Sequence, residues 1–214
     1  MAEQDAEAPA CRLYLAGPPA SDAGGFAAFE THLARALERG LDIACLRLSA
    51  DGLDDAAARA LLSRVGALVQ PQGVALLVED RPDLVAPAGL DGLHLSKPPA
   101  RLAELRRKLG PDRILGVACG LSRHAAMVAG EAEADYVSFA GEAEGLAEMI
   151  GWWATLMTVP CVAEGVVDGS QAEALAAAGA DFVLPAPALW AEADPVASLR
   201  ALTEALARGF ARQR

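Results

Sequence analysis

The chain has 214 residues, enough for one domain with a substantial buried core, and 53% of them are apolar, much of that Ala and Leu. Its 18 Lys and Arg against 29 Asp and Glu give a net charge of −11, which argues against nucleic acid or an anionic membrane as a partner. Aromatic residues at 5% argue against a stacking platform for bases or sugars, and the whole composition suits helices covering a buried parallel sheet.

Met1–Ala10 is acidic, with neither a basic start nor an apolar stretch, and is expected to be a disordered tail rather than a signal peptide. The domain is expected over residues 11–214. The longest uncharged stretch, Met149–Ala163, is interrupted by Pro160 and is too short to span a bilayer. Cys11, Cys45, Cys119 and Cys161 lie far apart and form no CxxC pair, so a reduced, cytoplasmic protein is expected.

The elements follow one rhythm. Arg12–Ala16 predicts a strand stopped by Gly17-Pro18-Pro19, and Phe26–Arg39 a helix with Phe26, Phe29, Leu33 and Leu37 on one face, closed by Gly40. Ile43–Leu48 predicts the second strand and Asp54–Leu68 the second helix, with Asp54 as its cap. Val74–Val78, a short helix at Pro82–Ala86, Gly92–Leu95 and a helix at Ala100–Leu109 carry the pattern on. The second half repeats it. Strands are predicted at Ile114–Ala118, Tyr136–Phe139, Cys161–Ala163 and Phe182–Leu184, with helices at Ser122–Ala132, Glu144–Thr158, Ser170–Ala178 and Pro195–Arg212.

Eight strand–helix units at about 25 residues each predict a single (β/α)₈ barrel of the α/β class. The turns Gly40-Leu41-Asp42, Gly89-Leu90-Asp91 and Gly179-Ala180-Asp181 each join a helix end to a strand, Gly as a left-handed cap and Asp as acceptor for turn amides. A doubly wound open sheet would call for a glycine-rich loop after the first strand, and Gly17-Pro18-Pro19 is not one.

The stretch Leu76–Pro99 concentrates the candidate chemistry, because two strand cores there end in Glu79-Asp80-Arg81 and in Ser96-Lys97-Pro98-Pro99. Charge at the carboxyl ends of strands is how such barrels build a site. Asp80 is the leading candidate. Glu79 reads either as a second carboxylate for Mg²⁺ or as a partner of Arg47 or Lys97. Arg47, mid-strand in CLRL, requires a phosphate or carboxylate partner, either a ligand or Asp80. His94 reads as a satisfied core histidine and Cys119 as an inert buried thiol, with no basic neighbour in sequence to activate it. His32 and His124 fall in helices as surface or packing residues. Trp152-Trp153 and Trp190 read as packing or an oligomer contact, which leaves a homodimer open.

In LVEDRPDLV (77–85), GLDGLHLS (89–96), ILGVAC (114–119), EADYVSFA (133–140), VPCVAEGV (159–166) and AGADFVL (178–184) the chain resembles thiamin phosphate synthase and the related thiazole tautomerase TenI. The resemblance runs from Tyr14 to Leu189. It implies a synthase that uses Mg²⁺ to join a pyrimidine pyrophosphate to a thiazole phosphate, through a pyrimidine carbocation formed as pyrophosphate leaves. It assigns Arg47 and Asp80 catalytic roles, Asp80 also as the metal ligand. Glu79, Arg81, Lys97 and Gly165 are the candidates for binding phosphate or another ligand, and a small phosphorylated heterocycle is the expected partner.

Departures from the family pattern fall at functional positions. The Lys of QLREK is Ser49, the Asn of NDR is Glu79, and the second metal carboxylate is Pro99. The Ser of GVSTHS is Ala118, and its His, which resembles the base in TenI, is Gly120. The loop Gly141–Gly145 has no Thr or Lys and adds Glu142 and Glu144. Of the thiazole-phosphate cradle Gly165 stays, its second Gly is Val166, and the Ser is Pro187, which has no N–H to offer a phosphate. Three readings follow: an active synthase with Mg²⁺, a family member that binds a ligand or partner without catalysis, and a rebuilt site on Glu79, Asp80, Glu142 and Lys97.

Overall fold

Parallel strands close on themselves in the order β1 to β8 in the computed structural model, which describes residues 11–20 and 22–213. The strands are β1 (Arg12–Ala16), β2 (Ile43–Leu48), β3 (Ala75–Glu79), β4 (Gly92–Leu95), β5 (Ile114–Ala118), β6 (Tyr136–Ala140), β7 (Cys161–Val166) and β8 (Phe182–Pro185). Between and after them run α1 (Ala23–Glu38), α2 (Asp55–Val69), α3 (Pro82–Val85), α4 (Leu102–Leu109), α5 (Arg123–Glu131), α6 (Ala143–Leu156), α7 (Gly169–Ala178) and α8 (Pro195–Gln213). This is the (β/α)₈ barrel that the repeat predicts. The acidic tail expected at Met1–Ala10 lies outside the described residues. No helix among them is long and apolar enough to cross a membrane.

Strand residues alternate between two environments, as the pleat demands. Outward side chains such as Leu46, Leu76, Val117 and Phe139 join the layer packed under the helices. Inward ones, including Tyr14, Cys45, Leu77, Tyr136, Val162 and Leu184, form a separate cluster inside the barrel. Gly116 makes that interior possible, since a Cβ there would lie 1.9 Å from the Tyr136 ring. Trp153 and Trp190 serve packing. Trp153 is fully buried and donates to the Val159 carbonyl at 2.7 Å, while Trp190 meets Phe29 edge-on and donates to the Ala16 carbonyl at 2.8 Å.

Two strand boundaries differ from prediction in ways that matter for the site. β3 begins and ends one residue later than the predicted Val74–Val78, so Glu79 belongs to the strand and Asp80, at φ 52, makes the turn. β7 runs to Val166 rather than Ala163. The Glu-Gly pair looks like a strand end by composition, but the strand continues through a bulge between Glu164 and Val166, with Gly165 at φ 82.

The amino-terminal end is fastened by a repeated aspartate. Asp91 accepts from the Leu76 amide, Asp135 from the Leu115 amide and Asp181 from the Cys161 amide, at 2.7, 2.7 and 2.8 Å. Each aspartate precedes an even-numbered strand and ties the odd-numbered strand before it. The predicted glycines stand in left-handed conformations, Gly40 and Gly89 at φ 68 and Gly179 at φ 106. Asp42 departs from the expected role, because it receives the Arg12 guanidinium instead of a turn amide. Asp135 belongs to a fourth such turn without a glycine, where Glu133 takes φ 60.

Candidate functional site

Arg47 is the centre of the carboxyl-end interior. Its position in β2 turns it inward, and only 12% of its side chain is exposed. A guanidinium so placed must be matched by opposite charge and hydrogen bonds. Glu164 of β7 supplies both across the barrel, accepting from Nη1 at 3.1 Å and from Nη2 at 3.3 Å. Glu79 of β3 adds a second carboxylate at 4.0 Å from Nε, and the guanidinium lies over the Tyr14 ring at 5.9 Å. Burial works against the charged Arg47, but Glu164, Tyr14 and Glu79 together carry its pKa upward. Glu79 is pushed above the ordinary carboxylate value, first by burial and then by Asp80, Glu164 and Asp51, with Arg47 pulling the other way.

A chain of hydrogen bonds runs down from Arg47 into the barrel. Nη1 lies 2.7 Å from His94 Nε2, His94 Nδ1 lies 2.7 Å from the Tyr136 hydroxyl, and that hydroxyl lies 2.7 Å from the Tyr14 hydroxyl. Arginine can only donate, which fixes the roles of His94, and leaving no buried proton idle on Tyr136 sets the last link. His94 Nε2 accepts, so its proton sits on Nδ1 and is donated to Tyr136, which donates in turn to Tyr14. Burial, and then Arg47 itself, hold the His94 pKa well below the usual histidine value, so the ring is neutral and the assignment is self-consistent. Two polar atoms of this interior, Arg47 Nε and Ser138 Oγ, are buried with no hydrogen-bond partner among the described residues.

The sequence's site residues are dispersed over this end. Arg47 and Glu79 are brought together. Asp80 is not paired with Arg47; its Oδ1 accepts from the Ser96 amide at 3.0 Å, joining the ends of β3 and β4. Arg81 points to the helical layer, bound to Asp55 at 2.7 Å and Asp83 at 2.7 Å. Lys97 is exposed in the β4–α4 loop and makes no ion pair among the described residues. Gly165 is exposed at the β7 bulge with open space where a Cβ would project. Pro187 opens a 3₁₀ turn, and Glu142 and Glu144 are exposed at the start of α6.

Among the described residues no group of three or more His, Cys, Asp and Glu side chains could hold a metal ion. For Mg²⁺ this leaves Asp80 alone, with one oxygen already engaged, while Glu79 is turned toward Arg47. The donor set does not make an octahedral oxygen site for Mg²⁺. Cys119 is buried and its thiol is pushed up to about 12 by that burial, which keeps it protonated and unreactive.

Glu164, Tyr14 and Tyr136 belong to the site although the strand pattern alone does not single them out. A signal existed: CLRL and CVAEGV each place one charge inside an otherwise apolar strand, and the two charges are opposite. A strand ending at Ala163 leaves Glu164 outside it, and the pairing shows only once β7 extends to Val166.

A model of the thiamine monophosphate synthase family matches residues 13–186. A thiamine-phosphate synthase of Rhodospirillum centenum is 42% identical over 189 residues, covering 84% of this chain and 89% of that protein. Another, from Hyphomonas neptunium, is 37% identical over 207 residues, 90% of this chain and 92% of its own. Among solved structures, a thiamine phosphate pyrophosphorylase from Pyrococcus furiosus superposes with a TM-score of 0.75 at 17% identity, over 92% of this chain and 96% of that one, a likeness of fold.

Proposed function

This chain belongs to the thiamine monophosphate synthase family, and we propose that it is a member whose carboxyl-end mouth binds a small heterocycle without carrying out the family's coupling. The observation that carries this reading is the Arg47–Glu164 pair. Displacing pyrophosphate from a pyrimidine requires cations free to hold several negative charges as they separate. Here the inward guanidinium of the carboxyl end, Arg47, faces a bidentate carboxylate and a second at 4.0 Å. Arg81 is spent on Asp55 and Asp83, and the metal donor set is a single carboxylate.

The same geometry suits the ring of a heterocycle better than its phosphate tail. Glu79 and Glu164 present acceptors to a ring amine or a cationic ring, and Arg47 Nε and Ser138 Oγ are buried polar atoms in want of a partner. A coupled assay with pyrimidine pyrophosphate, thiazole phosphate and Mg²⁺ is expected to give no thiamin phosphate above the enzyme-free rate. In a thermal-shift series thiamin and the thiazole alcohol are expected to stabilise the protein more than thiamin phosphate, thiazole phosphate or pyrophosphate. Turnover would overturn this reading, and flat melting temperatures with every compound would remove the binding half of it.

A second reading rests on the relatives named thiamine-phosphate synthase at 42% and 37% identity. In it Arg47 would exchange Glu164 for the leaving group, and Asp80 would be the carboxylate left to hold Mg²⁺. Turnover abolished by both Arg47→Ala and Asp80→Ala would select it.

A further inference from the structure

The amino-terminal end of the barrel, opposite the mouth described above, is not filled. Barrel interiors are ordinarily packed there by layers of Val, Ile and Leu. Here Ala44 and Ala75 stand on neighbouring strands, and a cavity of about 240 Å³ opens between them, Ile114, Phe182 and the two tyrosines. Arg12 and Asp135 line its rim, each already satisfied, by Asp42 and by Arg106 with the Leu115 amide. The walls are therefore apolar and the rim is polar but spoken for. An apolar cavity of about 150 Å³ is known to admit benzene, so this one takes a substituted single ring.

The hydrogen-bond chain adds one directed group. Arg47 donates to His94, His94 to Tyr136, and Tyr136 to Tyr14. The Tyr14 oxygen is thus already an acceptor, and its own proton must leave in another direction. The Cys45 thiol, a weak acceptor, interacts with Tyr14, and both line the cavity. A donor with a poor partner at the roof of an apolar chamber favours a ligand that brings a better acceptor.

We propose that this amino-terminal chamber is a binding site for a small planar aromatic molecule bearing one hydrogen-bond acceptor, seated against Ala75 and Ile114 with the acceptor toward the Tyr14 hydroxyl. The site is separate from the carboxyl-end mouth and stands whether or not the coupling reading holds.

The chain carries its own reporter, because its three isoleucines are Ile43, Ile114 and Ile150 and only Ile114 lines the chamber. Methyl NMR of the full chain, titrated with acetophenone and with toluene, is expected to move the Ile114 signal saturably and leave Ile43 and Ile150 in place. Ala75→Leu fills the chamber and is expected to abolish the response to both probes; if it does not fold, Ala44→Leu closes the same space from β2. Tyr14→Phe is expected to weaken acetophenone on the order of five-fold while leaving toluene unchanged, the loss of one hydrogen bond. An Ile114 signal unmoved by either probe up to its solubility limit overturns the site, as does an undiminished response in the filled variant. Equal weakening of both probes by Tyr14→Phe overturns the role given to the hydroxyl.

Discussion

Replacing Glu164 with alanine tests the central ion pair directly. The change removes two charge-assisted hydrogen bonds from Arg47, at 3.1 and 3.3 Å, and leaves the guanidinium 12% exposed with Glu79 at 4.0 Å as its remaining counter-charge. Stripping one partner from a fully buried pair costs about 3–5 kcal/mol. Glu164 retains 16% exposure and Glu79 offsets part of the loss, so about 2–3 kcal/mol is expected here. For a domain of this size that is a fall in Tm of about 5–10 °C. Urea unfolding followed by circular dichroism should show a lower midpoint with an unchanged slope. The double variant Arg47→Met with Glu164→Ala should recover much of the loss, because no uncompensated charge remains. Freeing Arg47 should also let pyrophosphate stabilise Glu164→Ala more than it stabilises the natural chain. A loss under about 1 kcal/mol, the range of solvated surface pairs, would refute the reasoning.

Further changes probe the surrounding structure. Gly116→Ala forces a Cβ to within 1.9 Å of the Tyr136 ring and is expected to cost about 3 kcal/mol or more, with a changed near-ultraviolet tyrosine signal as the ring is displaced. Asp135→Ala strands the Leu115 amide and weakens the hold on Arg106, for about 2 kcal/mol by denaturant unfolding, and Asp135→Asn should restore part of it. Glu79 has a raised pKa when folded, so the folded state holds its proton more tightly than the unfolded state, and its ionisation opposes folding as pH rises above the ordinary value of 4.5. Glu79→Gln should therefore melt higher than the natural chain at pH 7, with the gap closing as pH falls below about 4.5; a gap that widens in acid would contradict the assignment.

Local pattern carried most of the architecture. Apolar periodicity, helix caps such as Asp54 and Ser122, and the Gly-x-Asp turns act over a few residues, so the eight units and the closed barrel were legible in the chain itself. Arg47 was legible as a charge within a strand and Glu79 as one at a strand end, both demanding partners. Their partners were not, because the Arg47–Glu164 bond joins residues 117 apart in sequence and depends on barrel closure bringing β2 and β7 face to face. The same holds for the Asp135 turn, which works without the glycine that marks its siblings, since tertiary bonds to Leu115 and Arg106 hold it in place. Sequence determined the fold and the presence of buried charge. Only the closed barrel decided that the Arg47 charge faces a carboxylate inside the molecule, because that pairing is set by which inward positions meet across its axis.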